Sequence, residues 1–461
     1  MSDQNDYFQP KPDLWQWRDL QTALEIQANT TQAQRASISR IVTDSRKIEA
    51  GDLFVALSGD PGVRFNPSSR SAVDGHSFVS QAVSKGALGA MVRHDFVAPE
   101  GVEEDQLLRV ADTYDGLWAL GKAARARMNG VVIAVTGSSG KTTAKTFLQY
   151  ALQAYAPPGS FNNHIGVPLT LTNAPPNQAF YVLEIGTNHP GEIEPLAKMV
   201  NPDWAMVLNV QQAHIENFEN WDALKEEKLS IFKALEDSSN SIYEDILGLT
   251  CGHGFGSGEQ AEARLLDVEG HKASIALNSH QLTIQVPGGG WHRATTATAA
   301  VLLTTLVGGD VSRATALPED LIPAGRGRTH QLGTCLVIDE SYNANPDSMR
   351  AALATGLERG VAGQRVAVIG EMGELGDYSA QAHDSLYELL AAYDLVFCVG
   401  AGTQGLAERL GCHWQAQADS ELLERLRQQV SPESMIVVKG SNRVFWSIGF
   451  VPDLLRALAD D

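Results

Sequence analysis

The sequence predicts an α/β protein of three domains, and three observations lead to that prediction. The chain has 461 residues, too many for one core when domains average roughly 150 residues. Continuous apolar runs, such as the one at 131–135, are separated by helix-length segments, as in parallel sheets. A further series of such runs begins after Pro323-Ala324-Gly325. We therefore predict domains at 1–110, 111–320 and 321–461.

Charge and terminal composition exclude several classes of protein. Acidic residues outnumber basic ones by 55 to 35, giving a formal net charge of −20. Such a surface repels phosphate backbones, so we expect no nucleic-acid partner. The N-terminus lacks the apolar segment of a signal peptide, and no apolar run reaches the roughly 18 residues of a membrane span. Cys335 and Cys398 lie in apolar runs, which favours buried, reduced thiols. We expect a cytoplasmic monomer.

Short strands and helices alternate in the first domain, which predicts a small mixed α/β fold. Strands are predicted at 53–57 and 88–92, with a helix at 78–85 between them. A helix predicted at 114–128 leads into the second domain.

The second domain combines a mainly parallel sheet with a strand-rich segment. Besides the run at 131–135, buried strands are predicted at 181–185 and 204–208. The alternating pattern over 263–286 predicts a small antiparallel appendage instead.

A glycine-rich loop follows the first strand of the second domain and precedes a helix predicted at 144–152. In this context a chance turn is the weaker interpretation, because glycines let backbone N–H groups converge on phosphate oxygens at a helix N-terminus. Lys141 can reach terminal phosphates, and the Thr142 hydroxyl can bind Mg²⁺. We therefore predict a P-loop ATPase-like sheet whose loop residues bind nucleotide, namely Gly137, Ser138, Ser139, Gly140, Lys141, Thr142 and Thr143.

Two residues near this loop are candidates for a metal site. Glu184 ends its predicted strand, and His214 follows the next strand. Taken singly, such a glutamate is often a helix cap and such a histidine a structural residue. Here both residues are expected beside a phosphate loop, at the edge of the sheet where ligands bind. This combination favours the binding of a hard cation.

Lys228 falls on the apolar stripe of a predicted helix. Its ammonium could snorkel to solvent, and the spacing alone favours this interpretation. Alternatively, an uncharged amine held near the metal takes up CO₂, and the resulting carbamate binds Mg²⁺.

Polar clusters recur just past predicted strand ends in the third domain, for which we predict a Rossmann-like sheet. The strands are predicted at 335–338, 366–369, 395–399 and 436–438, and the clusters at 339–346, 370–376 and 439–441. Each cluster alone could be a helix cap or turn. Three clusters on one sheet edge favour a ligand site, in which Asp339 binds ribose and Lys439 neutralises an anion.

Together these motifs resemble the Mur ligase family, most closely its D-alanyl-D-alanine-adding branch. The resemblance spans nearly the whole chain, with motifs in order at Thr43-Asp44-Ser45-Arg46, 51–57, Asp74-Gly75-His76, 136–143, 162–168, 184–188, 191–193, 341–346 and Glu374-Leu375-Gly376.

The resemblance implies an ATP-dependent ligase of peptidoglycan precursor synthesis, serving cell-wall growth, cell shape and division. It would add D-alanyl-D-alanine to UDP-N-acetylmuramoyl-tripeptide through an acyl phosphate, using ATP and Mg²⁺. The first domain would bind the UDP substrate and the second ATP. The third would bind the ATP ribose and the incoming dipeptide.

Residue roles follow from the same resemblance. The catalytic residues would be Lys141, Lys228, His214 and Arg326. The metal ligands would be Thr142, Glu184, His214 and Lys228, the last as a carbamate. ATP would also contact His292 and Asp339. The substrates would be bound by Ser45, Arg46, Asn163, Thr187, Asn343, Asn345 and Lys439.

One departure bears on adenine binding. The family's His-Asn-x-x-Asn signature reads His292-Arg293-Ala294-Thr295-Thr296 here, and Arg293 could stack on the base instead. The alternatives to the ligase interpretation are a Mur-like ligase joining a different amine or peptide, a small-molecule kinase, and a non-catalytic nucleotide-binding protein. The sequence retains all the residues assigned to the metal and to the phosphates, which argues against a non-catalytic protein.

Overall fold

A computed structural model describes residues 8–27, 37–59, 73–211 and 215–459. The fold is mixed α/β with parallel sheets, as predicted. Packing groups the chain into two compact units. The first unit comprises the residues up to Thr136, 153–206 and 229–240, and the second comprises 137–152, 207–228 and 241 onward.

The strands in the N-terminal region of the first unit are β1 (Trp15–Gln16), β2 (Ser37–Ile38), β3 (Arg40–Val42), β4 (Asp52–Val55), β5 (Gly89–Arg93) and β6 (Leu107–Val110). Four of them form a parallel sheet in the order β3-β4-β5-β6. The helices are α1 (Trp17–Ala23), α2 (Val79–Ser84) and α3 (Thr113–Arg127). Strand β1 pairs with β2 separately. The strands and helices predicted in this region are confirmed.

The next strands are β7 (Val131–Thr136), β8 (Phe180–Glu184) and β9 (Trp204–Val207), which lie in the order β9-β7-β8. Residues 132–135 are completely buried, as their continuous apolar run predicted. The helices of this stretch are α4 (Lys141–Leu152), α5 (Gly166–Thr172), α6 (Ile193–Val200) and α7 (Trp221–Leu229).

Five further strands in the second unit lie side by side in chain order. They are β10 (Ser241–Glu244), β11 (His253–Gly256), β12 (Ala263–Glu269), β13 (Lys272–Leu277) and β14 (His280–Gln285). The antiparallel pairing predicted for 263–286 is confirmed for β12, β13 and β14. The segment is not an appendage, because β12 continues the sheet by parallel pairing with β11. Helices α8 (Trp291–Leu306) and α9 (Val311–Thr315) follow.

The strands of the C-terminal sheet are β15 (Arg328–Leu332), β16 (Cys335–Glu340), β17 (Arg365–Gly370), β18 (Leu395–Val399), β19 (His413–Gln415) and β20 (Met435–Lys439). They lie in the order β15-β16-β20-β17-β18-β19, and only the β15–β16 pair is antiparallel. Its helices are α10 (Pro346–Glu358), α11 (Ser379–Asp384), α12 (Tyr387–Leu390), α13 (Gln404–Leu410), α14 (Ser420–Gln429) and α15 (Phe450–Ala459).

Alternate residues of these strands enter two different cores. Ala367 and Ile369 pack in one core with Met349 of α10, whereas Val366 and Val368 pack in the other with Leu422 of α14. Successive side chains of a strand point to opposite faces, so helices cover both faces of this sheet. This is the doubly wound, Rossmann-like arrangement that the sequence predicted. Among the described residues, no helix is both long enough and apolar enough to cross a membrane.

Candidate functional site

The glycine-rich loop leads directly from β7 into α4. Gly140 has a φ of +79°, a left-handed conformation that favours glycine, and its carbonyl accepts the Ala144 N–H at 2.8 Å. Helix α4 therefore starts at Lys141, three residues before the predicted start at 144. Thr142 and Thr143 thus belong to the first helical turn. The first N–H groups of a helix have no partner within it, which makes this turn suited to anions.

Asn209, just past β9, holds the loop in shape. Its Oδ1 accepts the N–H groups of Ser138 and Ser139, each at 3.0 Å, and its Nδ2 donates to the Ser139 carbonyl at 3.2 Å. Gln211 adds a second contact, because its Oε1 accepts from the Ser139 hydroxyl at 2.7 Å. The sequence motifs do not identify Asn209 or Gln211 as residues that hold the loop. The signal that could identify them is their position after β9, which neighbours the strand that leads into the loop.

Lys141 and Lys228 are two lysines of this region that interact electrostatically. The Lys141 ammonium donates to the Gly137 carbonyl at 2.7 Å. Lys228, at the end of α7, is 1% exposed, so the snorkelling interpretation is wrong. Burial, together with the charge of Lys141, lowers the pKa of Lys228 to about 7 despite the opposing effect of Glu227. In a large fraction of the molecules, the Lys228 side chain is therefore an uncharged amine at neutral pH.

Glu184, Thr187 and Asn163 belong to the first unit. Glu184 is the last residue of β8 and is completely buried. The Thr187 hydroxyl donates to the His189 carbonyl at 2.7 Å and to Glu192 Oε2 at 3.1 Å. Asn163 Oδ1 accepts the N–H groups of Ile165 and Gly166 at the start of α5. His214 lies outside the described residues.

Ser45 and Arg46, near the N-terminal sheet, differ in exposure. Ser45 is buried, and its hydroxyl donates to Gln81 Oε1 at 3.3 Å. The Arg46 side chain is 83% exposed and pairs with Asp44 at 2.8 Å.

Asp339 fixes the chain around Arg326. Its Oδ2 accepts the Gly325 N–H at 3.1 Å, and its Oδ1 accepts the Ser341 hydroxyl at 2.5 Å. The Arg326 guanidinium lies 3.9 Å from the centre of the Tyr342 ring. Asp339 lies within β16 and Lys439 within β20. The prediction that their clusters begin just past the strand ends is therefore wrong, because both strands continue through these polar residues.

Arg293, Glu340 and Lys439 form a buried charge cluster. Arg293 pairs with Glu340 Oε1 and donates to the carbonyls of Gly288, Gly289 and Arg326. The Lys439 ammonium lies 3.5 Å from Glu340 Oε2 and donates to the Asn343 carbonyl at 3.1 Å. Arg293 is 4% exposed. A role in stacking on adenine is therefore wrong for this arrangement, because the guanidinium is already enclosed.

Charge and burial compete within the cluster. Burial alone would raise the pKa of Glu340, but Arg293 and Lys439 bring it below its usual range. Burial lowers the pKa of Lys439, an effect opposed by Glu340. Desolvation and the charge of Arg293 lower the pKa of His292 to about 3, so this imidazole is neutral at physiological pH. It can donate or accept a hydrogen bond without adding charge.

Asn345 caps α10. Its Oδ1 accepts the Ser348 N–H at 2.8 Å, the Ser348 hydroxyl accepts the Asn345 N–H at 3.0 Å, and Pro346 follows at the first helical position. The helix-cap interpretation that the sequence left open is therefore confirmed. Asn343, two residues earlier, is exposed.

Family models match two long stretches of the chain. The Mur ligase middle domain matches residues 135–303, and the Mur ligase, glutamate ligase domain matches residues 325–442. A UDP-N-acetylmuramoyl-tripeptide–D-alanyl-D-alanine ligase of Bacillus subtilis is 30% identical over 439 residues, covering 89% of this chain and 92% of the relative. The chain belongs to the Mur ligase family.

Further relatives agree with this assignment. The ligase of the same name from Escherichia coli is 30% identical and covers 96% of this Mur ligase and 98% of its own length. A crystal structure of MurF from Acinetobacter baumannii matches with a TM-score of 0.79 and 30% identity, covering 97% of this chain and 99% of that one. The predicted family and the predicted three-domain fold are therefore confirmed.

Proposed function

We propose that this Mur ligase adds D-alanyl-D-alanine to UDP-N-acetylmuramoyl-tripeptide with cleavage of ATP to ADP and phosphate. The observation that carries the proposal is the shared name of relatives about 30% identical that span almost the entire chain. The ammonium of Lys141, held beside the phosphate loop by the Gly137 carbonyl, supplies the positive charge that such a reaction needs.

The reaction proceeds in two steps. The carboxylate of the tripeptide attacks the γ-phosphorus of ATP, which forms an acyl phosphate and releases ADP. The dipeptide amine then attacks the acyl carbonyl, a proton leaves the amine, and phosphate departs from the tetrahedral intermediate. Two anions must meet in the first step, so catalysis depends on charge neutralisation and alignment. Lys141 and Arg326 supply positive charge to the phosphates, and the first turn of α4 supplies N–H donors.

The residues assigned to Mg²⁺ fit this ion chemically. Thr142 offers a hydroxyl and Glu184 a carboxylate, oxygen donors of the hard type that Mg²⁺ prefers, and both side chains are buried. His214 and a carbamate on Lys228 complete the proposed set. When bound, the metal would neutralise phosphate charge.

The low pKa of Lys228 supports the proposed carbamylation. The uncharged Nζ adds to the carbon of CO₂ and releases one proton, which converts a buried amine into a carboxylate-like anion. Burial and Lys141 together keep the amine uncharged near neutral pH. The same Lys141 charge then stabilises the carbamate.

The remaining predicted residues contact the nucleotide or one of the two peptide substrates. His292, as a neutral imidazole, and Asp339 contact the nucleoside of ATP. Asn343, Asn345 and Lys439 receive the dipeptide, while Ser45, Arg46, Asn163 and Thr187 bind the UDP-linked peptide. The exposed Arg46 guanidinium offers a charge-assisted contact for a diphosphate.

A joint-substrate assay tests the proposal. Phosphate release is measured with ATP, UDP-N-acetylmuramoyl-tripeptide and D-alanyl-D-alanine, and with each of them omitted in turn. We expect turnover only with all three present. Equal turnover with unrelated amines would replace the proposal by a Mur-like ligase of different specificity. Multiple turnovers of ADP formation without any amine, with accumulation of a stable phosphorylated product and no phosphate release, would favour a kinase.

A further inference from the structure

Two free thiols lie side by side at the edge of the C-terminal sheet. Cys398 is in β18 and is completely buried, whereas Cys412 lies just before β19 and is partly exposed. Their Sγ atoms are 3.8 Å apart, close to van der Waals contact. The ligase chemistry proposed above uses neither of them.

The strand pairing explains why the two side chains meet. Cys398 lies opposite Trp414 in the parallel β18–β19 pair. Cys412 precedes Trp414 by two residues, and strand side chains alternate with a period of two. The two Sγ atoms lie 3.8 Å apart, so Cys412, one residue before β19, turns its side chain toward Cys398.

The surroundings of Cys412 can accommodate a shorter sulfur–sulfur distance. A disulfide has a bond length of about 2.05 Å, so the sulfurs must approach by roughly 1.8 Å. Strand β19 has three residues and lies at the edge of its sheet, and it follows Gly411, which has a φ of +64°. A cavity of about 440 Å³ borders Cys412 and His413. A small shift of the chain entering an edge strand is less costly than one in a central strand, because only one side is hydrogen-bonded.

The two thiols are electrostatically unequal. The hydrogen bond with Cys398 lowers the pKa of Cys412 against the opposing effect of burial. The hydrogen bond with Cys412 and burial raise the pKa of Cys398. Cys412 is thus the better nucleophile and the more accessible thiol, while Cys398 is suited to resolve an oxidised partner.

We propose that Cys398 and Cys412 are a redox-sensitive pair that a hydroperoxide closes into an intramolecular disulfide and a thiol reductant reopens. The Cys412 thiolate attacks the peroxide, the O–O bond breaks, and after protonation a sulfenic acid and one water are formed. The Cys398 sulfur then attacks the Cys412 sulfur, the S–O bond breaks, and a second water leaves. Two thiols and one hydrogen peroxide thus yield one disulfide and two waters.

Peptide mapping of the full chain tests this pair independently of ligase activity. The exposed Cys251 is first changed to serine, which prevents it from cross-linking chains. The protein is treated with hydrogen peroxide, unfolded in the presence of an alkylating reagent, digested, and examined by mass spectrometry. We expect a linked pair of peptides carrying Cys398 and Cys412, lighter by two hydrogen atoms than the reduced pair, and recovery of both thiols with dithiothreitol. The buried Cys335 should remain alkylatable and serves as an internal control.

Two single variants separate the roles of the thiols. Cys398→Ser should leave a sulfenic acid on Cys412 that dimedone traps, whereas Cys412→Ser should leave Cys398 reduced at the same peroxide concentration. The proposal is overturned if peroxide leaves Cys398, Cys412 and Cys335 all reduced in the protein that retains both thiols of the pair. Oxidation of Cys412 to a sulfinic acid without any linkage also contradicts it. It is also overturned if linkage occurs only between chains.

Discussion

The phosphate loop and the buried charge cluster are both positively charged regions of the second unit, yet they are built in opposite ways. The loop is contiguous in sequence and is held mainly by neutral hydrogen bonds that it donates to Asn209 and Gln211. The cluster joins residues far apart in the chain, Arg293, Glu340 and Lys439, through ion pairs. A phosphate loop must keep its charge available for a ligand. In the cluster, Glu340 compensates the charges of Arg293 and Lys439 internally.

The difference has an energetic consequence. Removing one member of a buried ion cluster leaves an uncompensated charge in a medium of low polarity, which costs stability. Removing a residue from the loop should mainly cost ligand binding or catalysis. We therefore expect changes in the cluster to alter the free energy of unfolding and changes in the loop to alter the rate of phosphate release.

Glu340→Gln should produce the largest effect. With the carboxylate gone, Arg293 and Lys439 remain buried without a counter-charge, and we expect a loss of about 3–5 kcal/mol in unfolding free energy. Denaturant unfolding measures the loss. Glu421→Gln is the matched control, because Glu421 pairs with Arg425 at an exposed position and should cost less than about 1 kcal/mol. Equal losses of unfolding free energy in Glu340→Gln and Glu421→Gln would show that the buried cluster is no more sensitive than an exposed ion pair.

Lys141→Ala should act on the rate instead. We expect phosphate release to fall about 100- to 1,000-fold, because a charge that stabilises the transferring phosphate is lost. The steady-state rate and the unfolding midpoint are measured together. Lys198→Ala, in an exposed pair with Glu194, is the control and should keep wild-type activity. A large fall in stability with an unchanged rate per folded molecule would assign Lys141 to the structure alone.

Lys228 gives the loop region a pH-dependent stability. Its pKa is about 7 in the folded protein against an ordinary value of 10.5, so the unfolded chain binds more protons between these values. Wild-type stability should therefore rise with pH across this window, by about 1.4 kcal/mol per pH unit from this residue, and fall as the pH drops towards 7. The Lys228→Met variant should lack this contribution when both proteins are unfolded in CO₂-free buffer. A pH-independent difference between the two would contradict the low pKa.

Asn209→Ala should have a smaller effect, on nucleotide binding. The loop loses its contacts to the N–H groups of Ser138 and Ser139, and we expect the KM for ATP to rise about tenfold, equivalent to about 1.4 kcal/mol. Initial rates at varied ATP concentration measure it. Asn240→Ala, which removes an exposed hydrogen bond to the Asp203 carbonyl, should leave this KM unchanged. A KM for ATP equal to that of wild type would show that the loop keeps its shape without Asn209.

Asn345→Ala should cause the smallest change, about 1 kcal/mol of stability, because it removes the cap of α10. Asn345→Ser retains a capping hydroxyl and should recover most of that loss. The KM for D-alanyl-D-alanine is measured for both variants. An increase in both would show a contact with the dipeptide beyond the cap, and an unchanged KM in both would restrict Asn345 to the helix.

The fold was largely predictable because its strands are buried on both faces. The runs at 131–135 and 395–399 carry no polar residue, and each forms a strand at that place. Helix α4 was predicted to start at 144, because the composition of Lys141, Thr142 and Thr143 does not distinguish a loop from a first helical turn. The conformation of Gly140 decides that point.

The site was predictable only in its contiguous parts. The loop motif indicates Lys141 and Thr142 directly. It does not indicate Asn209, because a single asparagine after a strand has many ordinary explanations. The sequence suggests that Arg293 stacks on adenine because it follows His292 in the family's adenine signature, and its partner Glu340 is distant in the sequence. Only the folded chain brings their side chains together.

By itself the sequence determined the α/β class, the family and the phosphate loop, since periodicity and contiguous motifs are local properties. The tertiary structure alone decided the low pKa of Lys228, the enclosure of Arg293 by Glu340 and the contact between Cys398 and Cys412. Each of these depends on burial or on a distance between elements. Such quantities are set by how strands and helices pack, and the order of residues along the chain does not contain them explicitly.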